Sequence, residues 1–306
     1  MGKIEFGVQI EPQFGYTYSD IKEIALHAES QGFESIWISD HFMIRPEAVD
    51  VNCLEAWTAL TALARDTETL RFGPMVTSQS YRNPVLLGKM AASLDHISDG
   101  RLYLGVGAGW KEVEYNAYNI PFPKTMTRIR QLDEALEICK RMFTEPIADY
   151  QGKYYSVNQC VAMPKPVQNP LPVVIGGTGY NTLKVTARHA HFANFAWNTH
   201  IKTFDEKLHV LEKHCKKIGR DCSEIRKSAG LILKIKGIDP TMPAPYTKYT
   251  GSAQRDGKTV DEATEFINEY LDLGVDHVVI MFPYGEEKES ITRLMDEVAP
   301  NLKTPM

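Results

Sequence analysis

Short apolar runs alternate with longer amphipathic stretches along almost the whole chain. The apolar runs are Ile4–Ile10, Ser35–Ser39, Arg71–Val76, Arg101–Val106, Val173–Gly176, Phe192–Trp197, Lys227–Ile235 and His277–Phe282. Between and after them lie stretches with helical periodicity: Ser19–Gln31, Leu54–Asp66, Pro84–Ile97, Thr127–Phe143, Tyr180–His189, Thr203–Ile218, Val260–Leu273 and Lys288–Val298. In the first of these, Ile21, Ile24, Ala25 and Ala28 follow the 3.6-residue period of a core-facing helix, and Gly32 stands where a helix-ending glycine belongs. Asn83-Pro84 supplies an N-cap followed by proline at the first helical position, where the missing N–H costs nothing. Strands separated by helices rather than by tight turns must run parallel, because a parallel return needs a long crossover. Eight such units predict an α/β fold, a (β/α)8 TIM barrel whose usual size is roughly 250 residues. The alternative, a doubly wound open sheet, fits eight regular units less well. The expectation is one domain over residues 1–306, with the surplus length in insertions at the carboxyl-end mouth. Residues 145–171 read as a hairpin-like, proline-rich insertion, and residues 237–259 as a mobile loop.

Composition narrows the function. With 43% apolar and 24% charged residues the chain has ordinary globular proportions, which excludes a wholly disordered protein. A net charge of −5 offers no basic face for a phosphate backbone, so nucleic acid is not an expected partner. The five cysteines (Cys53, Cys139, Cys160, Cys215, Cys222) form no C-x-x-C pair, which argues against a disulfide scaffold and a cysteine zinc site. The opening MGKIEFGVQI does not read as a secretory leader, Phe6 stands where a myristoylation signal wants Ser or Thr, and no run of 18 apolar residues occurs. The expectation is a cytoplasmic protein that acts on a small molecule away from membranes.

In a barrel of this kind chemistry collects at the carboxyl ends of the strands. The first strand ends on Glu11, a strand-end carboxylate able to exchange a proton. The second ends on Asp40-His41, where an imidazole can move a proton near neutral pH or simply hold a backbone carbonyl. The fourth runs into GVGAGW, residues 105–110, whose glycines bring backbone close to another loop or a flat ring. Trp110 can stack there or pack. The fifth ends in GGTG, residues 176–179, just before a helix, which suits either an anion or a plain turn. Glu112 and Glu114 read as solvated. No His-x-His on the first strand prepares a metal, and the histidines at 189, 191, 209 and 214 read as packing or surface.

Taken in order, SDHF at 39–42, FGPMVTSQSYRNPVLLGKMAASLDHISDGRLYLGVGAGW at 72–110 and PKPVQNPLPVVIGGTG at 164–179 resemble the bacterial-luciferase-like superfamily, in its branch that uses coenzyme F420. The resemblance covers most of residues 4–195. It implies a hydride-transferring oxidoreductase, with flavin mononucleotide (FMN) as the alternative cofactor of a monooxygenase, and a homodimer. Other readings are a non-catalytic protein that sequesters the ring and a metal-dependent barrel hydrolase. By resemblance, Asp40 and His41 would face the cofactor ring, with His41 handling the proton. Met75-Val76 would form a cis-peptide bulge behind the ring, and Ser78, Ala108 and Gly109 would touch ring and ribityl chain. Gly176, Gly177 and Gly179 would cradle the phosphate. Trp110 stands where the family's sugar-phosphate dehydrogenases carry a catalytic Glu, and their substrate-phosphate lysines and arginine have no counterpart, a departure from glucose-phosphate oxidation. Substrate choice falls to residues 145–171 and 237–259 with Trp110, Tyr81 and Trp197.

Overall fold

The computed structural model describes residues 3–241, 243–250 and 256–305. Within the loop expected at 237–259, positions 242 and 251–255 therefore lie outside the described residues. In chain order the strands are β1 (Glu5–Ile10), β2 (Ser35–Ile38), β3 (Arg71–Pro74), β4 (Thr77–Ser78), β5 (Leu104–Gly107), β6 (Ile147–Gln151), β7 (Ser156–Val161), β8 (Val173–Gly176), β9 (Phe192–Phe195), β10 (Arg226–Ile232) and β11 (His277–Met281). All except β6 and β7 join one parallel sheet, ordered β3-β2-β1-β11-β10-β9-β8-β5-β4. β3 and β4 are two parts of one strand, interrupted at Met75-Val76, where the peptide is cis. β3 pairs with β2 and β4 with β5, and a Phe72–Leu102 bridge joins the same two edges lower down. The nine segments are thus eight staves of a closed ring, as the alternation of apolar runs and helices predicts.

The period of two along each strand decides what faces where. In β1, Phe6, Val8 and Ile10 join the large core beneath the helices, leaving Gly7, Gln9 and then Glu11 for the interior. In β11, Val278 and Ile280 face the helices, whereas Val279 belongs to a separate inner cluster with Trp37, Tyr103, Val174 and Phe192. This aromatic group fills the amino end: Trp37 stacks on Tyr103 at 5.4 Å between ring centroids, and the wholly buried His277 meets both edge-on. The barrel is plugged below and open above.

The helices carry the caps that their sequences announce. Thr17 and Asp20 form a capping box for helix Tyr18–Ser30, Asn83 caps Pro84–Ile97, and Thr259 with Glu262 caps Val260–Leu271. The stretch read as one helix over 288–298 is helical from Glu287 to Arg293 and then widens into a π-turn over Leu294–Val298.

Residues 145–171 do contain a hairpin, β6–β7, but it does not roof the mouth. The segment follows helix Thr125–Thr144, so it leaves from the amino end of the barrel and packs Ala148 and Ala162 outside, against Ile138 and Met142. Its far end reaches up only as far as a 2.9 Å hydrogen bond from the Tyr155 hydroxyl to Gln79. The described part of 237–259 does follow a strand and sits at the carboxyl end, where Tyr246 stacks on Phe14 at 4.3 Å and the Tyr249 hydroxyl donates to Asp50 at 2.6 Å.

Candidate active site

A cavity of about 510 Å³ opens at the carboxyl ends of the strands. That is within the range of small-molecule sites. Glu11, Asp40, His41, Met75, Val76, Ser78, Ala108, Gly109, Gly176 and Gly177 all line it. Gly179 does not; it is the N-cap of helix Tyr180–His189, whose Thr182 lines the cavity instead. None of residues 145–171 takes part.

One wall is made by Val76. A Cβ at Gly107 would come within 2.8 Å of the Val76 side chain, and one at Gly176 within 3.1 Å. A Cβ at Gly105 would run into the Pro74 carbonyl. The glycines of the GVG and GGTG segments are therefore room for the 75–76 kink. Gly109, with φ of +76°, turns the chain past Ser78 and Tyr115 in the left-handed region that disfavours side chains.

His41 is held by Glu114. Nδ1 lies 2.9 Å from Glu114 Oε2, while Nε2 makes no hydrogen bond to a described residue. Glu114 is fully buried and also accepts from the backbone N–H groups of Phe42 (3.0 Å) and Met43 (3.2 Å), the Tyr81 hydroxyl (2.8 Å) and Lys111 Nζ (3.1 Å). Burial alone would raise its pKa, but the hydrogen bond and charge of His41, with Lys111 and Tyr81, outweigh it and hold the carboxyl at about 2. An ionised carboxylate only accepts, so Nδ1 carries the proton and Nε2 is left to give or take one. The expectation of a solvated Glu114 is thus corrected, while Glu112 is exposed as expected. Both sit on helix Glu112–Ala117, too short to show a periodicity.

Asp40 meets Arg82 in a two-pronged ion pair, 2.6 Å to Oδ2 and 3.1 Å to Oδ1, and also accepts from Thr77. Arg82 also pairs with Glu55, which caps helix Ala56–Asp66. These partners hold the Arg82 pKa above its ordinary value although burial pulls it down. Arg82 and Glu55 carry no local sign in the sequence beyond their type, a cation and an anion each just ahead of a helix. Glu11 receives the side-chain amides of Gln9 (2.8 Å) and Gln13. The hydroxyls of Ser78 and Ser80 gather around that of Tyr115. Trp110 is 72% exposed and stands edge-on to His41 at 5.7 Å.

The described residues contain no group of three His, Cys, Asp or Glu side chains placed to hold a metal, and no helix among them is long and apolar enough to cross a membrane.

Residues 4–236 match the sequence profile of the family described as luciferase-like monooxygenase. An F420-dependent glucose-6-phosphate dehydrogenase from Amycolatopsis mediterranei is 24% identical, over 93% of this chain and 94% of its own. A 5,10-methylenetetrahydromethanopterin reductase from Archaeoglobus fulgidus is 25% identical, over 98% and 100%. An F420-dependent secondary alcohol dehydrogenase, solved with an F420–acetone adduct, superposes with a TM-score of 0.84 over 98% of this chain and 99% of that one, at 17% identity. At that identity the likeness speaks for the fold.

Proposed function

Because the chain belongs to the luciferase-like monooxygenase family, we propose that it is a coenzyme F420-dependent oxidoreductase, passing a hydride between the deazaflavin and a small organic substrate in the barrel mouth. One observation carries the reading: the Asp40-His41 pair and the Gly176-Gly177 pair line the same cavity, so a single ligand can meet an imidazole and a glycine-walled helix start. The names of two of the proteins compared, both F420-dependent, support a deazaflavin over FMN.

The residues present suit such a cofactor. Val76, freed by Gly107 and Gly176, offers a convex apolar surface for a planar ring, with Met75 beside it. Ser78, Ala108 and Gly109 would flank the ring and ribityl chain, and Gly176 and Gly177 would hold the phosphate at the start of helix Tyr180–His189, which Gly179 caps from outside the cavity. When bound, F420 supplies the two-electron hydride chemistry. The chain supplies position and protons. Glu114 fixes the His41 tautomer and keeps Nε2 free to hold or deliver a proton. Arg82 clamps Asp40, and with it the turn that carries His41. Glu11, oriented by two glutamine amides, is the second group able to exchange a proton. The reading includes a homodimer working in the cytoplasm; sedimentation of the purified protein tests the dimer.

The test is an anaerobic fluorescence titration with F420 and with FMN, followed by a substrate panel. Saturable F420 binding with hydride transfer supports the proposal. Preferential FMN binding with oxygen consumption would replace it with a monooxygenase, and tight binding without turnover would leave a cofactor-sequestering protein.

A further inference from the structure

A second cavity, of about 480 Å³, opens at the other end of the barrel, beside the starts of β8 and β9. It shares no lining residue with the mouth cavity. Helix Thr125–Thr144 runs from one to the other, giving Arg128 to the mouth and Lys140 to the far end, about 18 Å further along its axis. The base of this cavity is apolar: Leu136, Leu171 and Val173 are buried there, with Phe143 beside them.

The rim is cationic. Lys140, Lys165, Arg188 and Arg220 line it, and no Asp or Glu does. Lys165 Nζ donates to the Met142 carbonyl (3.0 Å) and the Glu145 carbonyl, at the end of helix Thr125–Thr144. Arg220 donates to the carbonyls of Ala187 (3.0 Å) and Ala190 (2.7 Å), at the end of helix Tyr180–His189. Those bonds seat both cations on the negative ends of helices, but a carbonyl holds no full charge to cancel theirs. Asp133, outside the cavity, serves Arg188 (2.6 Å) and His189 (2.8 Å) at once, and the exposed Glu224 reaches Arg220 at 3.3 Å. Lys140 has no ion pair among the described residues; Glu137 and Glu145, close by in the chain, pair with Arg141 instead. On a chain of net charge −5 this hollow is an island of positive charge. His191 adds an uncharged donor. Its Nδ1 accepts the Val173 N–H at 3.0 Å, so Nε2 carries the proton, and Nε2 makes no hydrogen bond to a described residue. Burial, with the charge of Arg220 next, lowers the pKa of this ring and keeps it neutral.

From this arrangement we propose that the far cavity is a second ligand site, for a small organic carboxylate with an apolar body. The body lies on the apolar base, and the carboxylate meets the rim cations and the His191 Nε2–H. An apolar base alone would take a neutral molecule, and a cationic rim alone an inorganic anion; the two together select a ligand that carries both parts. The proposal is independent of the cofactor reading, since none of these residues reaches the mouth.

The experiment is isothermal titration calorimetry of the unaltered protein with octanoate, octanol and acetate, which carry both parts, the body alone and the head alone. Octanoate is expected to saturate one site, with octanol and acetate each at least about tenfold weaker, each buried methylene adding about fourfold. Lys140→Glu should weaken octanoate by about 5- to 20-fold and leave octanol within about twofold, whereas Lys140→Arg should keep octanoate within about twofold. Melting curves check that the variants fold; should Lys140→Glu fail, Lys140→Gln takes its place, with about threefold weakening expected. No saturable octanoate binding overturns the proposal. So does octanol or acetate binding as tightly as octanoate, or an octanoate affinity that removal of the Lys140 charge does not change.

Discussion

The barrel holds one histidine at each end, and the two are built for opposite purposes. His41, at the mouth, is partly open and leans on an ionised carboxylate. His277, at the floor, is wholly buried among Trp37, Tyr103 and Phe192, bonded through Nδ1 to Ser228 at 2.8 Å, with Nε2 unpartnered. Burial, with the charge of Arg226 next, drives the His277 pKa down to about 3. The comparison teaches that residue type is a poor guide to chemistry: a fixed tautomer and an open nitrogen make a proton carrier, whereas aromatic walls make a packing piece.

The contrast breaks most visibly in turnover. His41→Ala is expected to lower kcat by about 10²- to 10⁴-fold, the usual contribution of a general acid or base, with F420 affinity changed far less. His277→Phe should leave kcat nearly unaltered, and steady-state kinetics of both variants would expose any reversal. Next in size is the mouth's charge network. Removing Arg82 by substitution with Ala leaves Asp40 buried without its partner, and denaturant unfolding should register a loss of about 3–5 kcal/mol. Glu114→Gln keeps the shape but not the charge, so kcat should fall by about 10- to 100-fold, the scale of a hydrogen bond to a charged group.

The remaining effects lie in pH-dependent stability, where the two ends separate again. The unfolded state protonates His277 below its ordinary 6.5 while the folded state resists until about 3, so stability declines as pH falls through that window. For Glu114, depressed from 4.5 to about 2, stability is full above 4.5 and declines as pH falls toward 2. Melting curves across pH should show the first decline reduced in His277→Phe and the second in Glu114→Gln. A profile unchanged by either substitution would contradict the assignment.

The staves were legible because buried parallel strands read as apolar runs and their helices carry capping residues. Asp40, His41 and the glycines at 176 and 177 were legible because strand ends of this fold deliver side chains to one mouth. Glu114 was not, since burial of a charge is decided by partners, here Phe42, Tyr81 and Lys111, that no local pattern announces. Arg82 is silent for the same reason, its partners Asp40 and Glu55 lying far from it in the chain. The placement of 145–171 was misread because Pro and Gly mark a loop without saying which end of the barrel it leaves from; its position after a helix and before a strand is the signal that does.

The central claim is that one cavity takes ring and phosphate together, and a crystal structure of the F420 complex tests it most directly. The account predicts the ring against Val76 within hydrogen-bonding reach of His41, and the phosphate at the first turn of helix Tyr180–His189. F420 bound elsewhere, or with its phosphate turned toward His41, would contradict it.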